Sequence, residues 1–341
     1  MRCRALSGSS TALSDSDHAL VDAELLPLVA MLPSIRLSSE TLAEYRARPA
    51  TRAPLSDAAS AVTVEERFIP GRAGDPDVRL FLYRPDATGS LPVVLHIHAG
   101  GFVVGALDGG ETRAPELAAA MDCVVVSVDY RLAPETRFPG ALEDCYAALK
   151  WVVREAASLG IDPLRIVVKG ESAGGGLAAA LALLARDRGE FAILGQHLTY
   201  PMLDDRTGVA RKCPDYAGAL VWTLPDNLFG WESLLGHPAG DGKVSPYAAP
   251  ARASDLTALP PTFLMVGALD LFADEGVEYA RRLLAAGVAT ELHVYPGAFH
   301  GFDLSPDASV ARAARAAAHR WLSRQFADAA GHHESKDDCN V

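Results

Sequence analysis

A serine lies between two glycines at residues 170–174, which read Gly-Glu-Ser-Ala-Gly. An apolar run at 165–168 precedes this pattern, and an alanine- and leucine-rich stretch follows it at 175–186. The pattern alone is weak in a chain with 29 glycines. Between a strand and a helix, however, it places the serine on a sharp, strained turn with its hydroxyl exposed. We therefore predict that Ser172 is a nucleophile.

A serine hydroxyl attacks a carbonyl only when a base accepts its proton and a third group orients that base. In a strand–turn–helix context the acid and then the histidine follow the serine along the chain. Asp270 follows the apolar run 261–267, and His300 follows the alternating run 291–295. Both lie just past predicted strands, where open α/β sheets place their sites. The order Ser172, Asp270, His300 predicts a catalytic triad.

The tetrahedral intermediate of acyl transfer also needs N–H donors for its oxyanion. One expected donor is the N–H of Ala173, the residue after the nucleophile. Others should come from a glycine-rich loop after an earlier strand, and residues 93–102, which contain Gly100 and Gly101, supply such a loop. Glycines there let backbone N–H groups approach a substrate oxygen closely.

Strand and helix patterns alternate through most of the chain, which predicts a mostly parallel eight-stranded sheet flanked by helices, an α/β fold. The short polar link 71–76 favours an antiparallel hairpin at the sheet edge. Strands are predicted at about 61–69, 77–84, 92–98, 123–130, 165–170, 192–200, 261–267 and 290–296. Helices are predicted at about 113–121, 141–159, 173–187, 274–286 and 308–327.

Composition limits the class of protein. The formal net charge of −12 argues against nucleic acid or an anionic membrane as a partner. Five cysteines, odd in number and without metal-ligand spacing, favour a reducing compartment. Without a signal-peptide pattern, a cytoplasmic location is predicted. No cofactor or metal motif is present, and a homodimer stays open.

Several longer motifs make the chain similar to the hormone-sensitive-lipase-like esterases of the α/β-hydrolase fold. The resemblance covers roughly residues 60–325, and its motifs are 98–102 (His-Ala-Gly-Gly-Phe), 129–135 (Asp-Tyr-Arg-Leu-Ala-Pro-Glu), 138–144 (Phe-Pro-Gly-Ala-Leu-Glu-Asp), 170–175, 270–275 (Asp-Leu-Phe-Ala-Asp-Glu) and 300–302 (His-Gly-Phe). It implies that Ser172, Asp270 and His300 are nucleophile, acid and base. It also implies an oxyanion hole built from the N–H groups of Gly100, Gly101 and Ala173.

The resemblance further implies that two segments outside the alternation, 18–52 and 203–252, pack together as a helical cap. The catalytic domain would then comprise residues 53–202 and 253–328, between polar and disordered ends at 1–17 and 329–341. Aromatic side chains would line the substrate pocket, or else form only the core of the cap: Phe102, Trp222, Phe229 and Trp231.

Two positions depart from the family pattern. The family loop usually reads His-Gly-Gly-Gly, and here Ala99 replaces the first glycine. Alanine would be strained by about 1 kcal/mol if that position required a positive φ, and unstrained otherwise. Glu171 replaces a frequent aspartate and is expected to point away from the nucleophile.

Other residues compete for these roles. Asp274 is a rival to Asp270, but it opens a predicted helix, where aspartate commonly caps. The family suggests that His98 shapes the glycine loop. The histidines within strands are expected to be structural, and so are charged residues in a network near one strand end: His96, His197, His293, Asp129, Arg131, Glu135 and Asp144.

These features together predict a serine carboxylesterase that forms an acyl-enzyme and acts on small-molecule esters. A compact cap favours short- to medium-chain acyl groups. An amidase, a lactonase or a carbohydrate deacetylase would use the same triad, so those activities stay open. A ligand-binding module that lacks the catalytic histidine is disfavoured, because His300 is present.

Overall fold

The computed structural model describes residues 19–31, 36–48, 54–105, 107 and 112–337, with side chains through residue 329. The N-terminus predicted to be disordered, 1–17, lies outside these residues. So do parts of the first predicted cap segment, at 32–35 and 49–52, and the last four residues of the predicted tail.

In the described residues one sheet of eight strands forms the centre of the molecule: β1 (Thr63–Ile69), β2 (Val78–Arg84), β3 (Leu91–Ile97), β4 (Val124–Asp129), β5 (Ile161–Glu171), β6 (Gly195–Thr199), β7 (Thr262–Gly267) and β8 (Thr290–Tyr295). The spatial order is β1-β2-β4-β3-β5-β6-β7-β8. Strands β3 to β8 run parallel, while β2 pairs antiparallel with β1 and β4. The predicted mostly parallel sheet and its antiparallel edge hairpin are confirmed.

The central strands are apolar because helices cover both faces of the sheet. Val93, Val94 and Leu95 of β3 are fully buried, as is the valine run at the start of β4. Both strands follow the β-branched composition that favours extended structure. Functional side chains are therefore confined to the strand ends and the loops.

Helices connect the strands: α1 (Leu26–Ala30), α2 (Leu42–Arg46), α3 (Asp57–Ser60), α4 (Arg113–Met121), α5 (Gly140–Arg154), α6 (Ala156–Leu159), α7 (Ala173–Arg188), α8 (Leu224–Leu235), α9 (Ala273–Ala285) and α10 (Ser309–Asp337). The helix predicted at 141–159 is interrupted at Glu155 and forms α5 and α6. No helix of the described residues is both long and apolar enough to cross a membrane.

Helix α7 is buried along nearly its whole length because small residues let it approach the sheet. A Cβ at Gly174 would overlap the carbonyl oxygen of Ile97 in β3, and one at Gly176 would overlap that of Met202. The glycine and alanine content of this helix therefore reflects close packing of its first turn against the strand ends.

The last helix extends beyond its prediction. Helix α10 continues to Asp337, so residues 329–337 are helical where the sequence analysis predicts disorder. Polarity alone suggested a disordered tail, but alanine, glutamate and lysine are also good helix formers. An existing alanine-rich helix can therefore continue through them without a new nucleation step.

The two predicted cap segments meet only in part. Residues 19–31 lie against the loop that carries His300: the Asp22 N–H donates to the Gly297 carbonyl (3.0 Å), and Leu25 shares a core cluster with Phe299. Residues 36–48 contact the second segment, because the Leu37 N–H donates to the Asp226 carboxylate (2.8 Å). Within 203–252, α8 is the long helix, and turns make up most of the remainder.

Candidate active site

Ser172 lies between the end of β5 and the start of α7, in a backbone conformation that few residues adopt. Its φ is +57° and its ψ is −121°, and a non-glycine residue in this region stores about 1–3 kcal/mol of strain. The turn is held because the Ser172 N–H donates to the Thr199 carbonyl of β6 (3.0 Å). A Cβ at Gly170 would overlap the Gly174 carbonyl, which explains the glycines on either side of the serine.

Three side chains from three loops form one hydrogen-bonded line. The Oγ of Ser172 lies 2.9 Å from Nε2 of His300, and Nδ1 of His300 lies 2.8 Å from Oδ2 of Asp270. All three residues are buried, with exposures of 2%, 6% and 1%. These distances match the arrangement in which a carboxylate orients an imidazole and the imidazole accepts the serine proton.

The acid is placed by its own loop. The other oxygen of Asp270, Oδ1, accepts a hydrogen bond from the Phe272 N–H (2.9 Å), which fixes the carboxylate toward His300. Asp274, its rival in the sequence, has a side chain that is 82% exposed, and its charged partner is Arg211. It lies in the first turn of α9. The structure thus brings Asp270, and not Asp274, to the histidine.

Aromatic rings flank His300, and the sequence analysis did not predict them. The ring of Tyr200 lies 4.6 Å from the imidazole, and Phe272 meets it edge-on at 5.3 Å. The Tyr200 hydroxyl donates to the buried carboxylate of Asp303 (2.7 Å), which also pairs with Arg113. The sequence signal that could have identified Tyr200 is its position, because it directly follows β6 at the edge of the sheet where Ser172 also lies.

Burial alone would raise the pKa of Asp303, but the Arg113 guanidinium and the Tyr200 hydroxyl hold that pKa below its usual value. Asp303 is therefore a stable anion at neutral pH. Because it lies three residues after His300, this anion anchors the histidine loop to α4 and to the end of β6.

The glycine loop adopts conformations that L-residues rarely take. Gly100 has φ +131°, Gly101 φ +58° and Phe102 φ +67°. No described residue accepts a hydrogen bond from the N–H of Gly100 or Gly101. The N–H of Ala173 belongs to the first turn of α7, where N–H groups have no partner within the helix. These N–H groups are available to a ligand.

Ala99 carries none of the strain that was considered from the sequence, because it lies outside the positive-φ residues of this loop. His98 supports the same loop. Its Nδ1 donates to the Ala99 carbonyl (2.7 Å), its ring stacks on Tyr130 at 4.2 Å, and burial lowers the pKa of His98 to about 4. A neutral, buried imidazole with these contacts is a structural support for the loop.

The remaining histidines and charged residues singled out from the sequence contact other side chains of the described residues. Glu171 contacts His96 (2.9 Å) and Lys169. The other pairs are Asp129 with Arg79, Arg131 with Asp144, and Glu135 with Arg46. His293 pairs with Glu291, and His197 stacks on Phe263. These contacts agree with structural roles.

The aromatic residues predicted to line the pocket occupy different environments. Trp231 is fully buried and its ring lies 5.2 Å from that of Phe102, which is also buried. Both residues belong to one buried cluster that also contains Trp222. Their role in the pocket stays a prediction, because burial does not distinguish core from site: Ser172 is equally buried. Phe229 is half-buried against the core, and its role in the pocket stays a prediction.

Trp222 lies directly on the glycine loop. A Cβ at Gly101 would overlap the six-membered ring of the indole. Gly230 of α8 approaches the same point, because a Cβ there would be 2.7 Å from the Gly101 carbonyl oxygen and 3.4 Å from the Trp222 ring. Gly218, four residues before Trp222, donates to the Leu269 carbonyl in the acid loop (3.2 Å). Residues 218–230 thus join the glycine loop to the acid loop.

The strand order, the strained serine turn and the Ser–His–Asp line define the class of this protein, an α/β hydrolase. Comparisons with known proteins agree. The profile of the alpha/beta hydrolase fold family matches residues 94–304. The chain belongs to this family, in its hormone-sensitive-lipase-like branch.

Named relatives and solved structures are similar over most of the chain. The carboxylesterase NlhH of Mycobacterium tuberculosis is 39% identical over 242 residues, which are 70% of this chain and 75% of that protein. The ethyl acetate hydrolase of Pseudomonas putida is 35% identical over 259 residues, 69% of this chain and 79% of that one. The structure of a bacterial heroin esterase has a TM-score of 0.82 and 40% identity, covering 90% of this chain and 98% of its own.

Proposed function

We propose that Ser172, His300 and Asp270 hydrolyse short- to medium-chain acyl esters through an acyl-enzyme. The protein is a serine carboxylesterase, since esterase relatives 35–39% identical cover most of the chain. The observation that carries the assignment of residues is the buried line from Ser172 Oγ through His300 to Asp270, with distances of 2.9 and 2.8 Å. A protein that only binds a ligand would not require this hydrogen-bonded arrangement of serine, histidine and aspartate.

In the first half of the reaction His300 Nε2 accepts the Ser172 proton while Oγ attacks the ester carbonyl carbon. Asp270 stabilises the imidazolium that forms and keeps Nδ1 as its hydrogen-bond donor. His300 then gives the proton to the leaving alcohol, and the acyl group stays on Oγ. In the second half His300 accepts a proton from water, which attacks the acyl carbon, and Ser172 recovers its proton as the acid departs.

The N–H groups of Gly100, Gly101 and Ala173 stabilise the oxyanion in both halves. The absence of acceptors for the Gly100 and Gly101 N–H groups among the described residues supports this role. Donors fixed before the reaction need no reorganisation when charge develops, and each contributes about a hundred- to a thousandfold in kcat.

The second predicted cap segment, residues 203–252, restricts the size of the acyl or alcohol group. Trp222 covers Gly101, next to the proposed oxyanion donors, so a substrate carbonyl bound there has a bulky ring beside it. A relative that hydrolyses ethyl acetate, a small ester, supports the choice of short chains. The substrate class is therefore a small-molecule ester whose acyl chain is well short of palmitoyl.

A reducing, cytoplasmic environment is part of the proposal and rests on the thiols. Cys123 and Cys145 are buried and unpaired. Burial raises the pKa of Cys123 to about 12. Such thiols remain protonated and unreactive, as expected of cysteines that serve only packing.

The test is hydrolysis of p-nitrophenyl esters from acetyl to palmitoyl by the wild type and by Ser172→Ala. We expect kcat/KM to rise over the first few carbons and then fall, and Ser172→Ala to lose turnover while its Tm stays close to wild type. Turnover by pure Ser172→Ala above a few per cent of wild type would contradict the nucleophile. A p-nitroanilide cleaved as fast as the matching ester would favour an amidase.

A further inference from the structure

A chain of hydrogen bonds between buried residues leads from α9 to the glycine loop. The carboxyl group of Glu275 accepts from the Thr207 hydroxyl, and the Thr207 backbone carbonyl accepts from Nδ2 of Asn227 (3.3 Å). Oδ1 of Asn227 then accepts from Nε1 of Trp222 (3.4 Å). Glu275, Thr207 and Asn227 are at most 3% exposed, and Trp222 is 7% exposed.

The far end of this chain is the indole that lies on Gly101. Glycine populates positive and negative φ with similar ease, so Gly101 does not hold φ +58° by its own preference. The Trp222 ring occupies the space beside its α-carbon, and Gly230 approaches its carbonyl from α8. Together they restrict rotation of the peptide groups on both sides of Gly101, one of which carries a proposed oxyanion donor.

Asn227 is the residue that sets the direction of the indole. Its amide uses both its oxygen and its nitrogen, so the side chain is fixed at two points. Burial alone does not give an indole N–H an acceptor in this part of the fold, because the buried Nε1 of Trp231 finds none among the described residues. An indole held only by packing could tilt, whereas a hydrogen bond to a fixed amide determines which edge of the ring faces Gly101.

We propose that Asn227 is a positioning residue for the oxyanion loop, acting through Trp222. The hydrogen bond orients the indole, the indole holds Gly101 in its left-handed conformation, and the N–H groups of the loop then point at the developing oxyanion. The inference rests on the proposed function, because it concerns the rate at which Ser172 transfers an acyl group. It predicts an effect on kcat, since oxyanion donors engage fully only in the transition state.

The experiment combines Asn227→Leu, Trp222→Phe and the double variant in a thermodynamic cycle. Leucine keeps the Cγ branching of asparagine without its polar atoms, and phenylalanine removes both the indole N–H and the distal ring atoms that lie beside Gly101. Turnover of p-nitrophenyl acetate is measured per active site, with sites counted by stoichiometric labelling with an organophosphate. Trp321→Phe is the matched control, because Trp321 is a buried tryptophan in α10 that packs on His197 and Phe263.

We expect each single variant to lower kcat per active site by about tenfold, a part of the loss that follows removal of a whole oxyanion donor. KM should change by less than about twofold. The double variant should lose no more kcat than the less active of the two single variants, because Trp222→Phe already removes the hydrogen bond that Asn227→Leu breaks. Trp321→Phe should lower Tm and leave kcat per site near the wild-type value.

The inference is overturned if Asn227→Leu keeps kcat within about twofold of wild type, or if the two single losses multiply in the double variant. It is also overturned if Trp321→Phe loses as much kcat as Trp222→Phe. If Asn227→Leu does not fold, the loss of kcat per active site in Trp222→Phe relative to Trp321→Phe decides whether the inference stands. Absence of ester turnover in the wild type would instead overturn the proposed function, so the two failures are distinguishable.

Discussion

The two sides of the active site are held by different interactions. On the side of Ser172 and His300, side chains at strand ends are joined by hydrogen bonds of 2.8–2.9 Å. On the side of Gly101 and Trp222, backbones in left-handed conformations meet a ring and a second glycine by van der Waals contact. In the proposed mechanism the first side supplies the reacting atoms, and the second shapes the space around them. Changes to the two sides should therefore differ in kind as well as in size.

The largest expected effect comes from the hydrogen-bonded side. Asp270→Asn keeps the shape of the acid but presents an amide to His300 Nδ1, which favours the wrong imidazole tautomer. We expect kcat for p-nitrophenyl acetate to fall by about 10⁴-fold, with Tm nearly unchanged. Asp274→Asn, which alters the exposed rival carboxylate, is the control and should retain wild-type turnover. Equal losses in the two variants would contradict the assignment of the acid.

On the packed side, Gly101→Ala should have the next largest effect. A methyl group at Gly101 would overlap the Trp222 ring, and φ +58° is itself unfavourable for alanine. We expect kcat to fall by about 10²-fold, as for loss of one oxyanion donor.

The matched control is Gly89→Ala, because Gly89 also has a positive φ (+90°) but has no atom within 4 Å of its Cβ position. This variant should lose roughly 1 kcal/mol of stability and no turnover. If Gly101→Ala behaves like Gly89→Ala, the contact with Trp222 has no role in catalysis, and the difference between the two sides disappears.

Chain-length preference should respond only to the packed side. Trp222→Ala and Phe229→Ala should move the fall in kcat/KM to longer esters, since each newly accommodated methylene adds up to about 0.8 kcal/mol of apolar burial. The quantity to measure is the ratio of kcat/KM for hexanoyl and acetyl esters, because Trp222→Ala also lowers kcat in general. Unchanged ratios in both variants would mean that these aromatics are only core.

The smallest expected effect concerns Glu275 of α9 and the way in which it changes the stability of the fold with pH. Burial raises the pKa of Glu275 well above its usual range, although Thr207 and Leu203 donate hydrogen bonds that lower it. Above about pH 4.3, where an unfolded glutamate ionises, the folded protein retains a proton that the unfolded chain has lost. The free energy of unfolding therefore decreases as the pH rises toward the folded pKa.

Glu275→Gln removes this pH dependence of the free energy of unfolding. The Tm of the variant should therefore rise relative to that of the wild type as the pH increases from about 5 to about 8. The comparison variant is Glu278→Gln, on the same helix. Hydrogen bonds from Arg281 lower the pKa of Glu278. Glu278 is therefore ionised in both the folded and the unfolded protein above about pH 5, so the difference in Tm between Glu278→Gln and the wild type should be constant above that pH. A constant difference for Glu275→Gln as well would contradict a buried, protonated carboxyl.

The catalytic half of this molecule could be predicted because its signals are periodic. Strand runs such as 93–97 and 262–267 recur between helical stretches and are mostly apolar, and each is followed by residues that the sequence marks as candidates for the site. Ser172, Asp270 and His300 come together because parallel strands end at one edge of the sheet. The strand number, the edge hairpin and the fold class followed from the same signals.

The packed half could not be predicted in the same way because its contacts are not periodic. Trp222 and Trp231 look alike in the sequence and are both buried, but Trp222 lies on Gly101 and Trp231 packs on Phe102. The Tyr200–Asp303–Arg113 cluster joins three elements that are far apart in the chain, and each residue alone is unremarkable. Only the tertiary structure brings such groups together.

The approach of Gly230 to Gly101 also determines where water can go. A Cβ at Gly230 would lie 2.7 Å from the Gly101 carbonyl oxygen. Because a Cα–C bond is about 1.5 Å long, the Gly230 α-carbon lies within about 4.2 Å of that oxygen, which leaves no room for a hydrogen-bonded water between them. Helix α8 and the glycine loop therefore meet without a hydration layer, and the local dielectric constant is lower than at an exposed loop. Partial charges on the N–H groups proposed as oxyanion donors then act with less screening. In the proposed mechanism Gly230, which costs α8 roughly 1 kcal/mol of helix stability relative to alanine, thereby strengthens the electrostatic field of the glycine-loop N–H groups at the substrate carbonyl.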